Sequence, residues 1–223
     1  MTDLDAGWGL GPTVAARLVR SADGGAAVLS EREHARADAF GSASRRRQFA
    51  LGRTAARTLA GERLGVDPDR VDLRVAADGA PEVPGVHLSI AHTGRGGNVA
   101  AAAALAARPI GVDLERVAPR RPDLWRRILR PEEHTLLEAL GGPTDDAQTL
   151  LWTLKEAVLK GQRTGFRAGG RSVHLALAAD GVPPARGHAT AEAEGSSAWR
   201  IAFGRDGDLW LAVAWADQEK QTA

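Results

Sequence analysis

Two long stretches of the chain repeat apolar residues at helical spacing, and each gives way to short β-like runs. In the first, "SEREHARADAF" opens on Ser30 with Glu33 three residues later, the reciprocal pair that caps a helix N-terminus. "SRRRQFALGRTAARTLAGERLG" then spaces Phe49, Ala56, Leu59 and Leu64 for one apolar face and stops at Gly65, so helix is expected over residues 30–64. From Val66 to Val117, glycines and prolines punctuate short Val, Leu and Ile runs, which reads as strands and turns. The alanine run at 100–107 is ambiguous, since propensity favours helix and its flanks favour strand. "PDLWRRILR", residues 122–130, predicts a short amphipathic helix, and "PEEHTLLEAL" a second with Pro131 at its first position. Thr144, followed by Asp145 and Asp146, caps the helix that carries "WTLKEAVLKG". The tail alternates again in "VHLALAADG" and "WRIAFGRDGDLWLAVAWAD", with "RDGD" as the turn of a hairpin.

The two helical stretches echo one another. "FALGRTAAR", from Phe49 to Arg57, and "WTLKEAVLK", from Trp152 to Lys160, both begin with an aromatic residue and end on a cation, and each is followed by strand-like segments. That pattern suggests an α+β protein of two pseudo-symmetric halves, residues 1–108 and 109–223, each a long helix packed on a small, mostly antiparallel sheet. A crevice between such halves is a common location for a binding site.

Composition narrows the function classes. The chain has 223 residues with 29 basic and 28 acidic side chains, a formal charge of +1, so bulk charge argues for neither nucleic acid nor a membrane surface. The absence of cysteine excludes disulfides, thiolate metal sites and a thiol nucleophile. "MTDLDAGWGL" lacks the basic start and apolar run of a signal peptide, and "NVAAAAALAA" is too short to cross a bilayer, so a cytoplasmic protein is expected.

Candidate chemistry lies in two short motifs. Residues four apart stack on a helix, so Trp152, Glu156 and Lys160 form one stripe, with Lys155 and Leu159 beside it. Alone, that stripe reads as an ordinary Glu–Lys pair. In "PIGVDLERV" the Ile-Gly-Val run reads as a buried strand, on which Asp113 and Glu115 share a face and repel unless a cation or proton lies between them. Alone, this pair reads as a solvated strand end. Together, Asp113, Glu115 and Glu156 can offer three anionic oxygens to a hard cation such as Mg²⁺, with Lys160 one turn from Glu156 and able to meet a phosphate on the same ion. No P-loop and no HExxH accompanies them.

"GVDLE" followed about forty residues later by "WTLKEAVLK" resembles the signature of the phosphopantetheinyl transferases, in particular the long, monomeric, surfactin-synthetase type. The fixed positions Gly111, Val112, Asp113, Glu115, Trp152, Thr153, Lys155, Glu156, Ala157 and Lys160 all match. "HLSIAHTG", with His92 and Thr93, is similar to the family's coenzyme A segment, and "RRRQFALGRTAAR" to its arginine-bearing helix. The resemblance implies transfer of the phosphopantetheine arm of coenzyme A to a serine of an apo acyl or peptidyl carrier protein, with 3′,5′-ADP released. It also implies two pseudo-symmetric halves, and so favours strand for the alanine run. By resemblance, Asp113, Glu115 and Glu156 hold Mg²⁺, or Mn²⁺ in its place. Glu156 or a water takes the serine proton, Lys160 contacts phosphate and Lys155 supports Glu156 beside the coenzyme. Coenzyme contacts are further expected from Arg36, Arg47, Arg53, Pro81, His92 and Thr93. Two positions depart from the pattern: Ala80 stands where a lysine is common, and Gln48 where an arginine is, which leaves Arg36, Arg47 and Arg53 as alternatives for the coenzyme 3′-phosphate. The apolar face of Leu124, Trp125, Ile128 and Leu129, rimmed by Arg126 and Arg127, is expected either to dock the acidic carrier or simply to cover the second half. Two other readings stay open on the residues: a carrier-binding homologue without turnover, and a different Mg²⁺-dependent phosphate enzyme.

Overall fold

The computed structural model describes residues 1–164, 169–178, 180–195 and 198–217, apart from the side chains of Asp5 and Ala6. The chain divides into two compact α+β units, Met1–Arg108 and Pro109–Ala223.

Unit 1 runs through β1 (Thr2–Asp3), α1 (Asp5–Trp8), β2 (Val14–Arg20), α2 (Glu31–Asp38), α3 (Ala43–Leu64), β3 (Arg74–Val75), β4 (Pro81–Glu82), β5 (His87–Arg95) and β6 (Asn98–Ala106). Its main sheet has the order β1-β2-β6-β5 with every ladder antiparallel. α3 lies on this sheet and packs Ala55, Ala56, Leu59 and Ala60 against Val19, Leu88, Ala103 and Leu105. The expected helix over 30–64 is two helices. Ser30 and Glu33 form the capping box of α2, and α2 ends at Asp38. Ser42 then starts α3 afresh, its hydroxyl accepting from the Arg45 N–H. A serine there offers the backbone a cap in place of a helix continuation. The alanine run is strand β6: it pairs with β2 on one side and β5 on the other, and Ala100 to Ala106 are buried. As a central strand beneath a helix it needs small side chains more than it needs helix propensity.

Unit 2 comprises β7 (Ile110–Arg116), α4 (Pro122–Ile128), α5 (Glu133–Ala139), α6 (Asp145–Gly161), β8 (Val173–Ala176), β9 (Arg186–Ala193), β10 (Trp199–Asp206) and β11 (Leu209–Ala216). The sheet order is β7-β11-β10-β9-β8, again antiparallel throughout. Thr144 caps α6 by accepting from the Ala147 N–H. Leu150, Leu154, Ala157 and Val158 of that helix join Trp199, Phe203 and Trp210 in the core. Pro131 is not the first residue of α5. It lies in a tight turn in which Glu133 and His134 donate three residues back, to Arg130 and Pro131, and α5 begins only at Glu133.

Both units repeat one motif: a strand, a long helix, then a hairpin whose second strand pairs with the first. In unit 1 this is β2–α3–β5–β6, and in unit 2 β7–α6–β10–β11. Even the hairpin turns correspond. Arg95 pairs with Asn98 around Gly96 at φ 60°, and Asp206 with Leu209 around Gly207 at φ 61°, a conformation glycine adopts without strain.

Candidate active site

In unit 2 the site begins with a close approach of backbones. A Cβ on Gly111 would stand 1.8 Å from the Ala157 carbonyl oxygen, so only glycine lets β7 press against α6 here. Two residues on, Asp113 is thereby carried to α6, where the Lys160 Nζ donates to its Oδ1 at 2.6 Å. Its other oxygen, Oδ2, is buried without a hydrogen-bond partner, as is Oε1 of Glu156. Glu115 is engaged on both oxygens: Arg120 Nη2 donates to Oε2 at 2.7 Å and the Trp152 indole to Oε1 at 3.2 Å. Asp113 and Glu156 are more than nine-tenths buried or close to it, at 3% and 9% exposure.

The electrostatics reflect crowded carboxylates. Burial pushes Glu156 up to about 7, the Asp113 and Glu115 charges add to the rise, and Lys160 opposes it. Glu115 is also raised, first by burial and then by Asp113, against the pull of Arg120. Lys160 is held above the usual lysine range, because Asp113 and the two glutamates outweigh the burial that would lower it.

Among the described residues no three His, Cys, Asp or Glu side chains stand close enough together to hold a metal ion unaided. Lys160 on Asp113 and Arg120 on Glu115 already take up part of the negative charge. The donor set nonetheless suits a hard divalent cation. Two buried anionic oxygens lack partners, and Mg²⁺ fills its remaining positions with water and substrate phosphate.

Lys155, next to Glu156 in sequence, faces elsewhere. Its ammonium meets Glu133 Oε2 at 2.6 Å and donates to the Gly170 and Val173 carbonyls at 2.9 and 2.7 Å. All three donors of the ammonium are thus used inside unit 2, which leaves none for the coenzyme contact expected from resemblance. Burial holds its pKa down, and Glu133 only partly restores it. Sequence gave no sign of Glu133, whose partners lie on α6 and around β8.

Unit 1 carries a separate cleft of about 240 Å³, lined by Arg36, Arg45, Arg53, Gln48, Pro81 and His92 over the rings of Phe40 and Phe49. His92 shares a face of β5 with Ile90, which also lines the cleft. Thr93, the next residue, takes the other face by strand alternation. Arg53 lies 5.4 Å from the Phe49 ring centroid and 3.5 Å from Glu33, and its Nη1 is buried without a partner. Burial and the neighbouring Arg57 and Arg36 disfavour its cation more than Glu33 restores it. An anion entering the cleft would supply the missing charge. Arg47 is not in the lining; its Nη1 donates to the Gly96 carbonyl at 2.7 Å. Arg45 is, with Nη1 3.5 Å from His92 Nε2 and 3.3 Å from Gln48 Oε1. It went unnoticed in the sequence because nothing distinguishes it within the run Arg45–Arg47. Gln48 also donates to the Gly94 carbonyl at 2.9 Å, so it ties α3 to β5.

The apolar face of α4 is turned inward. Trp125, Ile128 and Leu129 are buried in the unit 2 core, Leu124 packs against it, and Trp125 meets Trp152 edge-on at 6.4 Å. Of the two readings of this face, the burial of Trp125 and Ile128 fits the one in which it covers unit 2. Arg126 and Arg127 remain exposed.

The strand-borne Asp-x-Glu and the helix-borne Glu and Lys lie within a stretch that is similar to known proteins. The model of the 4′-phosphopantetheinyl transferase superfamily matches residues 109–214. The chain is 34% identical to 4′-phosphopantetheinyl transferase HetI of Nostoc sp. over 152 residues, covering 63% of this chain and 62% of that protein. It is 31% identical over 138 residues to a 4′-phosphopantetheinyl transferase of Bacillus subtilis, covering 59% of this chain and 58% of the relative. With 4′-phosphopantetheinyl transferase Sfp of Bacillus subtilis it shares 28% over 172 residues, 69% of this chain and 74% of that one. Over residues 109–214 the chain is thus similar to the 4′-phosphopantetheinyl transferase superfamily. It spans about three-fifths of the length of the Nostoc relative and of the first Bacillus relative. No helix among the described residues is long and apolar enough to cross a membrane.

Proposed function

We propose that the chain transfers the 4′-phosphopantetheine arm of coenzyme A to a serine of an apo acyl or peptidyl carrier protein, in the presence of Mg²⁺ or Mn²⁺, and releases 3′,5′-ADP. The observation that carries the reading is the pair of buried, unpartnered carboxylate oxygens on Asp113 and Glu156, with Lys160 bound to the first. In the reaction the serine Oγ bonds to the phosphorus that bears the pantetheine arm. The bond from that phosphorus to the bridging oxygen breaks, and the electron pair leaves on 3′,5′-ADP. Asp113, Glu115 and Glu156 would hold the divalent ion, which when bound neutralises charge on the pyrophosphate. Glu156 or a bound water would accept the serine proton. Lys160 offers positive charge to the departing phosphate.

The unit 1 cleft is assigned to the coenzyme's phosphates. Arg53 and Arg36, with Arg45 and His92, form its cationic lining; Pro81 belongs to its wall, and Arg47 and Thr93 to its surroundings. Lys155 acts through structure, tying α6 to Glu133 and to the Gly170 and Val173 carbonyls. Exposed Arg126 and Arg127 are the part of α4 left to meet an acidic carrier. A cytoplasmic, monomeric enzyme is the reading that goes with this activity.

The test is a panel of apo carrier proteins incubated with the chain, coenzyme A and Mg²⁺. A mass gain of one phosphopantetheine on a carrier, with 3′,5′-ADP formed in equal amount, is the expected result. Coenzyme binding without a mass gain on any carrier overturns the reading, as does release of phosphate from nucleotides instead.

A further inference from the structure

Asp113 and Glu156 each keep one oxygen unpartnered, whereas both oxygens of Glu115 are taken. The group that takes most of Glu115 is Arg120, from the segment between β7 and α4. Its Nη2 donates to Glu115 Oε2 at 2.7 Å, and its guanidinium lies 5.1 Å from the centroid of the Trp152 ring. Trp152 closes the triangle by donating from Nε1 to Glu115 Oε1 at 3.2 Å. The ring also meets Trp125 edge-on, with centroids 6.4 Å apart. Arg120 and Glu115 are about three-quarters buried, at 23% and 24% side-chain exposure, and Arg120 Nε is buried with no acceptor. The guanidinium is therefore held by charge and by the ring, with its hydrogen bonding incomplete.

We infer that Arg120 is the resident counter-cation of Glu115, a positioning residue that sets how tightly the site takes up a divalent cation. This rests on the divalent-cation reading of Asp113, Glu115 and Glu156 above. A cation attracted by the unpartnered oxygens of Asp113 and Glu156 can recruit Glu115 only if Arg120 leaves it. A guanidinium that stays would repel the incoming charge. Both effects have the same sign: Arg120 weakens uptake of the ion, and its departure from Trp152 accompanies uptake. A merely structural arginine would give the opposite sign, since its loss would loosen Glu115 and weaken binding.

The experiment measures Mn²⁺ binding to the full chain by electron paramagnetic resonance, and Mg²⁺ by competition, without coenzyme or carrier. Arg120→Gln should tighten Mn²⁺ binding about tenfold, equivalent to about 1.4 kcal/mol. Arg120→Lys, which keeps the charge but not the planar stack, should fall between wild type and Arg120→Gln. In a Glu115→Gln background the gain from Arg120→Gln should shrink to about twofold or less, because the partner through which Arg120 acts is gone. Mg²⁺ titration should also change the emission of wild type and leave that of Trp152→Phe unaltered, a readout that needs no Arg120 variant to fold. Equal or weaker Mn²⁺ binding by a folded Arg120→Gln, or no Trp152-dependent emission change in wild type, overturns the inference. Wild type that binds neither ion removes the metal reading itself, and this inference with it. Wild type that binds and transfers while Arg120→Gln fails to tighten leaves the proposed function standing and removes only the role of Arg120.

Discussion

In unit 1, α3 follows Phe49 with Arg53 and Arg57; in unit 2, α6 follows Trp152 with Glu156 and Lys160, at the same four-residue steps. The aromatic of each helix receives a guanidinium, Arg53 at 5.4 Å from the Phe49 centroid and Arg120 at 5.1 Å from that of Trp152. The last cation of each is paired at 2.6 Å, Arg57 with Glu33 and Lys160 with Asp113. The middle residue of each has a buried polar atom without a partner, but the sign is reversed. Arg53 Nη1 is a donor without an acceptor, and Glu156 Oε1 an acceptor without a donor. One architecture thus leaves a buried donor open on a cation in one unit, though Arg53 also pairs with Glu33, and a buried acceptor open on an anion in the other. The first suits an anion such as phosphate, and the second suits a cation.

The comparison extends to the clamps, and breaking these should have the largest effect on stability. In unit 1 Glu33, near the start of α2, binds Arg57 at 2.6 Å, while Arg57 also donates to the Pro68, Asp69 and Val71 carbonyls. In unit 2 Glu133, at the start of α5, binds Lys155 at 2.6 Å. Arg57→Ala and Lys155→Ala each remove the closest cation from a buried carboxylate, so each should cost up to about 3–5 kcal/mol in denaturant unfolding. Trp125→Ala, which empties a core position against Trp152, belongs to the same range. A loss below about 1 kcal/mol in either clamp variant would show that the pair is not held as described.

Next come the three site residues with an open polar atom, Asp113, Glu156 and Arg53. Asp113→Ala and Glu156→Ala should each lower transfer to a carrier about 10²–10³-fold or more, with little loss of coenzyme binding. Near-wild-type rates for Glu156→Ala at saturating Mg²⁺ would remove Glu156 from the chemistry. Arg53→Ala should act the other way, raising the KM for coenzyme A about tenfold or more, as loss of a charge-assisted contact does, and that for dephospho-coenzyme A much less. Equal effects on both substrates would mean that Arg53 does not read the 3′-phosphate.

How much of this was open to a reader of the sequence depends on whether the residues that matter are neighbours along the chain. Gly111, Asp113 and Glu115 share a strand and Trp152, Glu156 and Lys160 a helix face, so period alone places each set, and resemblance joins them. Lys155 was legible as a motif residue but not as a clamp, because its acceptors Gly170 and Val173 come from a turn that no periodicity ties to α6. Arg120 and Arg45 lie in arginine-rich segments where composition gives no reason to choose one over another. The alanine run was misleading by propensity alone, since its conformation is set by β2 and β5 on either side.

A smaller effect separates Glu156 from its counterpart by pH. Its pKa is raised from 4.5 to about 7, so the folded metal-free protein binds that proton more tightly than the unfolded chain does. The stability this gives is fully present below pH 4.5 and is lost as pH rises through 7. Glu156→Gln does not titrate. Its unfolding free energy should therefore match wild type near pH 4.5 and exceed it above pH 7, by an amount on the order of 1–3 kcal/mol. Saturating Mg²⁺ should narrow that gap, since the carboxylate then faces a cation. A gap independent of pH would mean that Glu156 does not titrate in this range.

The smallest effect concerns a surface that has no counterpart in unit 1. With Trp125 and Ile128 buried, α4 cannot dock a carrier through its apolar face, and the surface it offers is basic: Arg126 and Arg127. Exposed charges act mainly on encounter, raising the association rate for a partner of opposite sign and falling off with salt. Arg126→Glu and Arg127→Glu should therefore raise the carrier KM at low ionic strength by about three- to tenfold. They should flatten its salt dependence, and leave kcat, coenzyme A affinity and melting temperature unchanged. The salt series is decisive. A KM increase of the same size at low and high salt would point to a lost direct contact, and no increase at low salt would remove α4 from the carrier interface altogether.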